Sequence, residues 1–254
     1  MPRLQWPSPD RLNGSVSAPV RACEFLSTGD IEVLGLLPYS SNYVFLAKIT
    51  GQEEEALAVY KPSRGERPLW DFPSGTLANR EVAAYLLGEA AGWGFVPPTV
   101  MRSDGPLGRG SLQLFIEHDP ERHYFVLVRE RLEEFASIAL FDAVINNADR
   151  KGGHILEDAQ GRMWVVDHGL CFNVAAKLRT VIWAFSEEPI GGPLREQLSG
   201  LAAQLADDGA LGGRLAELLS PRESAATLAR VEALLSGNRF PAPEGDRPLP
   251  WPLV

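Results

Sequence analysis

From Phe141 to Phe172 the chain reads FDAVINNADRKGGHILEDAQGRMWVVDHGLCF, a buried helix, a loop, a hairpin and a turn in close succession. Leu140, Phe141, Val144 and Ile145 recur at helical spacing and stop at Asn146 and Asn147, so the apolar helix breaks there into a loop. Asp149 opens that loop, and Gly152 and Gly153 keep its backbone permissive. Ile155 and Leu156 restart an apolar run that Glu157 to Gly161 turn back as a hairpin. The returning strand, Met163 to Val166, ends abruptly at Asp167, His168 and Gly169. Two carboxylates, Asp149 and Asp167, are thereby delivered to one end of one hairpin.

That layout suits phosphoryl transfer, which asks a protein for positioning and charge neutralisation more than for covalent chemistry. One carboxylate can accept the proton of an attacking hydroxyl while the other holds a metal ion that bridges phosphates. A capped helix followed by an ordinary hairpin with acidic turns accounts for the same residues without any activity.

Upstream, Ile31–Leu37 and Tyr43–Ile49 are β-branched runs separated by Pro38, Tyr39, Ser40, Ser41 and Asn42, which predicts a hairpin. Ala56–Tyr60 is the next strand, ending at Lys61 because Pro62 stops the ladder. Pro62–Pro73 reads as a loop pinned to the body by Trp70 and Phe72. Thr76 or Asn79 caps a helix that runs to about Ala91, with Glu81 early on it beside an apolar stripe. Gly94–Val100 and Gly110–Glu117 read as strands, Leu132–Asn147 as a helix, and Leu194–Leu205, Leu211–Leu219 and Pro221–Leu235 as further helices. The last opens on a capping box, Ser220 with Glu223, and Gly237 stops it. Met1–Thr28 reads as a lead-in strap, and Asn238–Val254 as a Pro-rich tail that packs on the body or on a protein partner.

At 254 residues, 45% hydrophobic and 22% charged, the chain has core material for one domain of two lobes or for two small ones. A net charge of -9 with no Lys/Arg cluster argues against nucleic acid as a partner and against a stable anchor on an anionic membrane. No apolar run approaches the roughly 20 residues that span a bilayer, and Met1–Asp10 lacks the apolar centre of a signal peptide, so a cytoplasmic protein is expected. Cys23 and Cys171 lack metal-ligand spacing and read as free thiols.

Asn147, Asp149 and Arg150, then His154, Ile155 and Leu156, then Val166, Asp167, His168, Gly169 and Leu170, resemble the catalytic loop and metal-binding turn of phosphatidylinositol 3- and 4-kinases. The resemblance is closest to the type II 4-kinases and small actinobacterial kinase-like proteins, and it extends over about residues 30–190. It implies an α+β, two-lobed protein-kinase-like fold with a small antiparallel β-rich N-lobe (1–117), a mainly helical C-lobe (118–237) and a tail (238–254). It also implies ATP as phosphoryl donor, Mg2+ or Mn2+ as cofactor, and a hydroxyl acceptor on a protein, a small molecule or a lipid headgroup.

By family role Asp149 is the catalytic aspartate, with Arg150 beside it, and Asp167 is the metal-binding aspartate. His154 stands where the family has a metal-binding asparagine and is expected to hold the metal together with Asp167, although an imidazole prefers softer ions than magnesium. Ser40, Ser41 and Asn42 take the place of the glycines that cover the nucleotide phosphates. Lys61 pairs the α- and β-phosphates, with Glu81 orienting it. Backbone groups of Phe115, Ile116 and Glu117 meet adenine, and Lys177 and Arg179 face an anionic acceptor. His154 and the glycine-free turn also fit a second reading, a nucleotide-binding pseudokinase that acts as scaffold or sensor.

Overall fold

The computed structural model describes residues 19–38, 42–51, 54–206 and 209–254. The chain divides into two compact units, one formed by the residues up to Arg67 with Pro98–Phe115, the other by Pro68–Pro97 with Ile116–Val254.

The first unit is built on a five-stranded antiparallel sheet. Its strands are β1 (Asp30–Leu36), β2 (Phe45–Gly51), β3 (Glu54–Pro62), β4 (Thr99–Arg102) and β5 (Gly110–Leu114), in the order β1-β2-β3-β5-β4. Strict alternation along β3 puts Ala56, Ala58 and Tyr60 on one buried face, where Phe25 and Leu26 of helix α1 (Pro19–Thr28) join Ala47, Ile49 and Leu112. Lys61, opposite Ser111 of β5, falls on the other face of the pleat. The expected strand Gly94–Val100 begins only at Thr99: Gly94 is in the left-handed region (φ 62°), and Pro97 and Pro98 have no N–H to give to a ladder.

Arg102 fastens α1 to this sheet. It is buried, and its Nη1 donates to the carbonyls of Leu26 and Gly29, both at 2.8 Å, closing the open C-terminal end of the helix. Its Nε meets Asp104 at 2.8 Å.

The second unit is mainly helical: α2 (Leu77–Ala90), α3 (Tyr124–Arg131), α4 (Phe135–Ile145), α5 (Gly192–Leu205), α6 (Ala210–Ala216) and α7 (Pro221–Gly237), with one hairpin, β6 (Ile155–Glu157) and β7 (Met163–Val165). α2 and α4 are buried almost all round, α4 along an apolar run broken by Asp142 and α2 with Arg80 and Glu81 buried beside its apolar residues. The capping box of α7 is formed as expected, with Ser220 and Glu223 exchanging hydrogen bonds. Thr76 stands at the N-cap of α2, but its hydroxyl turns back to the Pro73 carbonyl (2.6 Å) and caps nothing. α3 is capped by His123, whose Nδ1 accepts from Phe125 N at 3.3 Å; this helix has no counterpart in the sequence reading.

The tail packs on its own unit. Phe240 is buried against Phe185 (5.5 Å), Pro248 O accepts from Thr180 N and from Trp183 Nε1 (both 3.2 Å), and Leu253 O accepts from Gly152 N at 2.7 Å. Among the described residues no helix is long and apolar enough to cross a membrane.

Replacing Arg102 with Met leaves two buried carbonyls at the end of α1 without a donor. We expect a loss of about 1–3 kcal/mol in urea unfolding, with α1 amides losing hydrogen-exchange protection first; unchanged protection there would show that the sheet holds α1 without Arg102.

Candidate functional site

The loop that follows α4 is set by a carboxylate inside the helix. Asp142 is fully buried among apolar residues, and a buried charge persists only when it is paired and hydrogen-bonded. Its oxygens take Arg150 Nε (3.0 and 3.1 Å), Asn147 Nδ2 (3.0 Å) and Thr180 Oγ1 (3.2 Å), and Arg150 Nη2 lies 3.0 Å away. The same guanidinium donates from Nη1 to Val166 O at 2.6 Å. Asp142 thus ties the helix end, the loop and the strand that leads to Asp167.

Backbone pairing completes the frame. α4 ends at Asn146 in the left-handed region (φ 52°), a conformation asparagine tolerates. Asn146 then bridges to the segment beyond, its Nδ2 donating to Asn173 O and Ala175 O and its Oδ1 accepting from Lys177 N. Arg179 N donates to Asn147 O (2.8 Å), Arg150 N to Arg179 O (3.0 Å) and Val181 N to Arg150 O (3.1 Å), a short parallel ladder that fixes the loop against residues 179–181. Gly152, next in line, packs closely: a Cβ there would stand 3.0 Å from the Phe125 ring, which would have to give way by a few tenths of an ångström.

Against this buried frame two carboxylates remain accessible. The side chain of Asp149 is 27% exposed and that of Asp167 51%, whereas Arg150 and Asp142 are at 0%. Asp149 N is held by Asn147 Oδ1 (2.9 Å), and its Oδ2 lies 3.1 Å from Lys151 Nζ. Burial pushes the Asp149 carboxyl above the usual carboxylate range; the hydrogen bond from Lys151 opposes that shift and the charge of Asp167 adds to it. Asp167 itself is in the left-handed region (φ 62°), a strained setting for a residue other than glycine. The turn behind it is clamped: Glu81 Oε2 accepts from His168 N (3.0 Å), and Leu170 O accepts from Ala148 N (2.9 Å).

His154 sits opposite Asp167, Nε2 to Oδ2, at 3.3 Å. Lys151 N makes a long hydrogen bond (3.4 Å) to His154 Nδ1, which places the proton of a neutral ring on Nε2, facing Asp167. In this arrangement His154 offers Asp167 a donor.

The remaining expected residues fall as follows. Ser40 and Ser41 lie outside the described residues, and Asn42 accepts from Arg67 N (2.9 Å) through its Oδ1. Lys61 ends β3 in the first unit, and Glu81 is on α2 in the second. Phe115 N pairs with Leu57 O (3.0 Å), Ile116 O lies 2.9 Å from His118 Nδ1, and Glu117 is exposed. Lys177 is turned to Asp71 (2.9 Å) and lies 4.8 Å from the Trp70 ring. Arg179 joins the loop through its backbone. Trp70, expected to pin its loop, is 92% exposed; Phe72 does the pinning, packed with Leu77, Ala148 and Leu170.

Residues 74–209 match the family described as phosphatidylinositol 3- and 4-kinase. The chain belongs to that family. It is 40% identical to protein Rv2133c of Mycobacterium tuberculosis over 89% of this chain and 93% of that protein. It is 32% identical to phosphatidylinositol 4-kinase gamma 4 of Arabidopsis thaliana over 51% of this chain, a match that spans 28% of the plant protein. Its fold matches the solved structure of hydra Fam20 with sugar, with a TM-score of 0.56 at 16% identity over 87% of this chain and 89% of that one. The fold is kinase-like, and the family implies use of ATP, typically with a divalent metal.

The donors present fit such a metal in one respect. Asp167 is a hard, accessible oxygen donor of the kind a divalent ion takes together with waters and substrate phosphates, and among the described residues there is no group of three or more His, Cys, Asp or Glu that could hold a metal ion by itself.

Asp142 is the residue that sequence reasoning missed. Its signal was present, a lone acid inside the apolar run Phe135–Ile145, since such a charge demands a partner. Asp142→Ala strands Arg150 in the interior, and we expect a loss of about 3–5 kcal/mol in urea unfolding; a loss under about 1 kcal/mol would mean that the ladder alone holds the loop. Lys151→Met removes a group that lowers the Asp149 pKa, so the acid limb of any Asp149-dependent rate moves to higher pH, and a stationary limb would assign it to another group.

Proposed function

We propose that this protein is an ATP-dependent phosphotransferase that moves the γ-phosphoryl group of ATP to a hydroxyl acceptor. The observation that carries the reading is the pairing at one hairpin end of two accessible carboxylates, Asp149 and Asp167, on a fully buried ionic frame.

In this reading Asp149 receives the proton of the attacking hydroxyl. Its raised pKa makes it a stronger base than an ordinary aspartate, and Lys151 keeps it ionised. Asp167 holds the divalent ion, Mg2+ or Mn2+, which when bound neutralises charge on the phosphates. His154 orients the Asp167 carboxylate. Lys61 binds the α- and β-phosphates with Glu81 as its orienting partner, Ser40, Ser41 and Asn42 cover the phosphates, and the backbone of Phe115, Ile116 and Glu117 receives adenine. Arg150 is a positioning residue, since its guanidinium is spent on Asp142 and Val166 O. The acceptor is a protein, a small polyol or a lipid headgroup; the name of the plant relative makes phosphatidylinositol the first lipid to try.

The test is label transfer from γ-labelled ATP with Mg2+ or Mn2+ into protein, phosphatidylinositol vesicles and small polyols. Asp149→Ala should cut transfer by about 100-fold or more while ATP binding persists. Asp167→Ala should abolish the metal-dependent part of the thermal shift with ATP. ATP binding without any Asp149-dependent transfer would replace this reading with the scaffold or sensor.

A further inference from the structure

The turn that carries Asp167 is gripped from two sides by consecutive residues of α2. Glu81 takes the N–H of His168, and Arg80, its neighbour, donates from Nη1 to the Cys171 carbonyl at 2.6 Å. Successive residues of a helix point about 100° apart, so one helix brackets the stretch 168–171 at both ends. Arg80 is 1% exposed, and its charge is met inside the protein by Glu223 at the start of α7, which its Nη2 contacts directly. Its guanidinium also lies 4.9 Å from the Phe72 ring, leaving it little room to move.

We infer that Arg80 and Glu223 are positioning residues that fix the Asp167 turn for a divalent metal, an inference that rests on the kinase reading above. A left-handed, non-glycine residue persists only where its surroundings over-determine it. Here the surroundings include hydrogen bonds at Val166, His168, Leu170 and Cys171, of which the first and last come from buried cations: Arg150 holds the residue before Asp167, and Arg80 holds the far end of the turn. A guanidinium serves it because its planar fork reaches two acceptors in different directions, a carbonyl and a carboxylate, which a lysine ammonium on a single stem cannot do in the same geometry. Glu223 is itself immobilised, its Oε2 accepting from Ser220 N and Ser220 Oγ, so the anchor of Arg80 is the rigid first turn of α7. The metal-binding edge is thereby referenced to a helix more than fifty residues downstream in the chain.

A purely structural tie between α2 and α7 would show the same contacts, and three variants separate the two roles. Arg80→Met removes the clamp and strands a buried carboxylate. Arg80→Met/Glu223→Gln removes the clamp but relieves the stranded charge. Arg80→Lys keeps the charge pair and loses the reach to Cys171. Mn2+ binding to the protein with ATP is read by the EPR signal of free Mn2+, ATP binding without metal by equilibrium dialysis, and stability by thermal melting. We expect Mn2+ affinity to fall about tenfold or more in all three variants, ATP affinity without metal to stay unchanged, and stability to recover in the double variant and in Arg80→Lys. If Mn2+ affinity recovers together with stability, the pair is only structural and the inference is overturned. If wild-type protein binds no Mn2+ with ATP, the kinase reading falls and takes the inference with it.

Discussion

The buried pair of Asp142 and Arg150 is the interaction on which the rest of the site depends. Both groups are fully buried, and the cost is offset by their mutual charge and by the hydrogen bonds they make: Arg150 Nε, Asn147 and Thr180 serve Asp142, while Arg150 Nη1 serves the Val166 carbonyl. Removing either partner leaves an uncompensated charge, so the arrangement has no graded alternatives. Four chain segments, the end of α4, the loop 146–150, the strand end at Val166 and the segment at Thr180, must therefore hold one mutual geometry. Asp149 and Asp167 are each one residue away from a fixed point of that network.

This explains how a loop can be both accessible and rigid. Surface loops move because their backbone groups exchange with water. Here the backbone of residues 147–150 is paired with residues 170 and 179–181, and Gly152 with Leu253 of the tail. The tail, expected to pack on the body or on a partner, packs on its own unit beside this loop. α2 does the same for the Asp167 turn from the opposite direction through Arg80 and Glu81, which is why that helix, although it precedes two strands of the sheet in sequence, groups with the helical unit.

Much of this was legible in the sequence where the signal was local. The hairpin from Ile155 to Val166, the end of α4 at Asn146 and the capping box of α7 follow from patterns within a dozen residues. What escaped was set by partners far along the chain. Asp142 reads as one more polar residue until Arg150 and Thr180 are beside it, and Arg80 carries no local mark of its tie to Glu223. Trp70 misled for the opposite reason: an aromatic residue in a loop predicts burial, but Phe72 two residues on occupies the space against Leu77 and Ala148, and Trp70 is left over Lys177 in solvent. α3 was lost because its second half is charged: Arg129, Glu130 and Arg131 follow the short apolar run Tyr124–Val128, with Arg131 paired to Glu134 and Glu157 and Glu130 paired to Arg122, which leaves no helical stripe to announce it.

Charge bears on the acceptor as well. Three of the cations at the loop are turned to carboxylates: Arg150 to Asp142, Lys151 to Asp149 and Lys177 to Asp71. The family resemblance had placed Lys177, with Arg179, toward a negatively charged acceptor, but the Lys177 ammonium already has an anionic partner, and an incoming phosphate would have to displace Asp71 to use it. Displacing a carboxylate from a partly buried lysine sacrifices a formed ion pair for a new one of similar strength and gives little net affinity. The chain's net charge of -9 adds a repulsion of anions at long range.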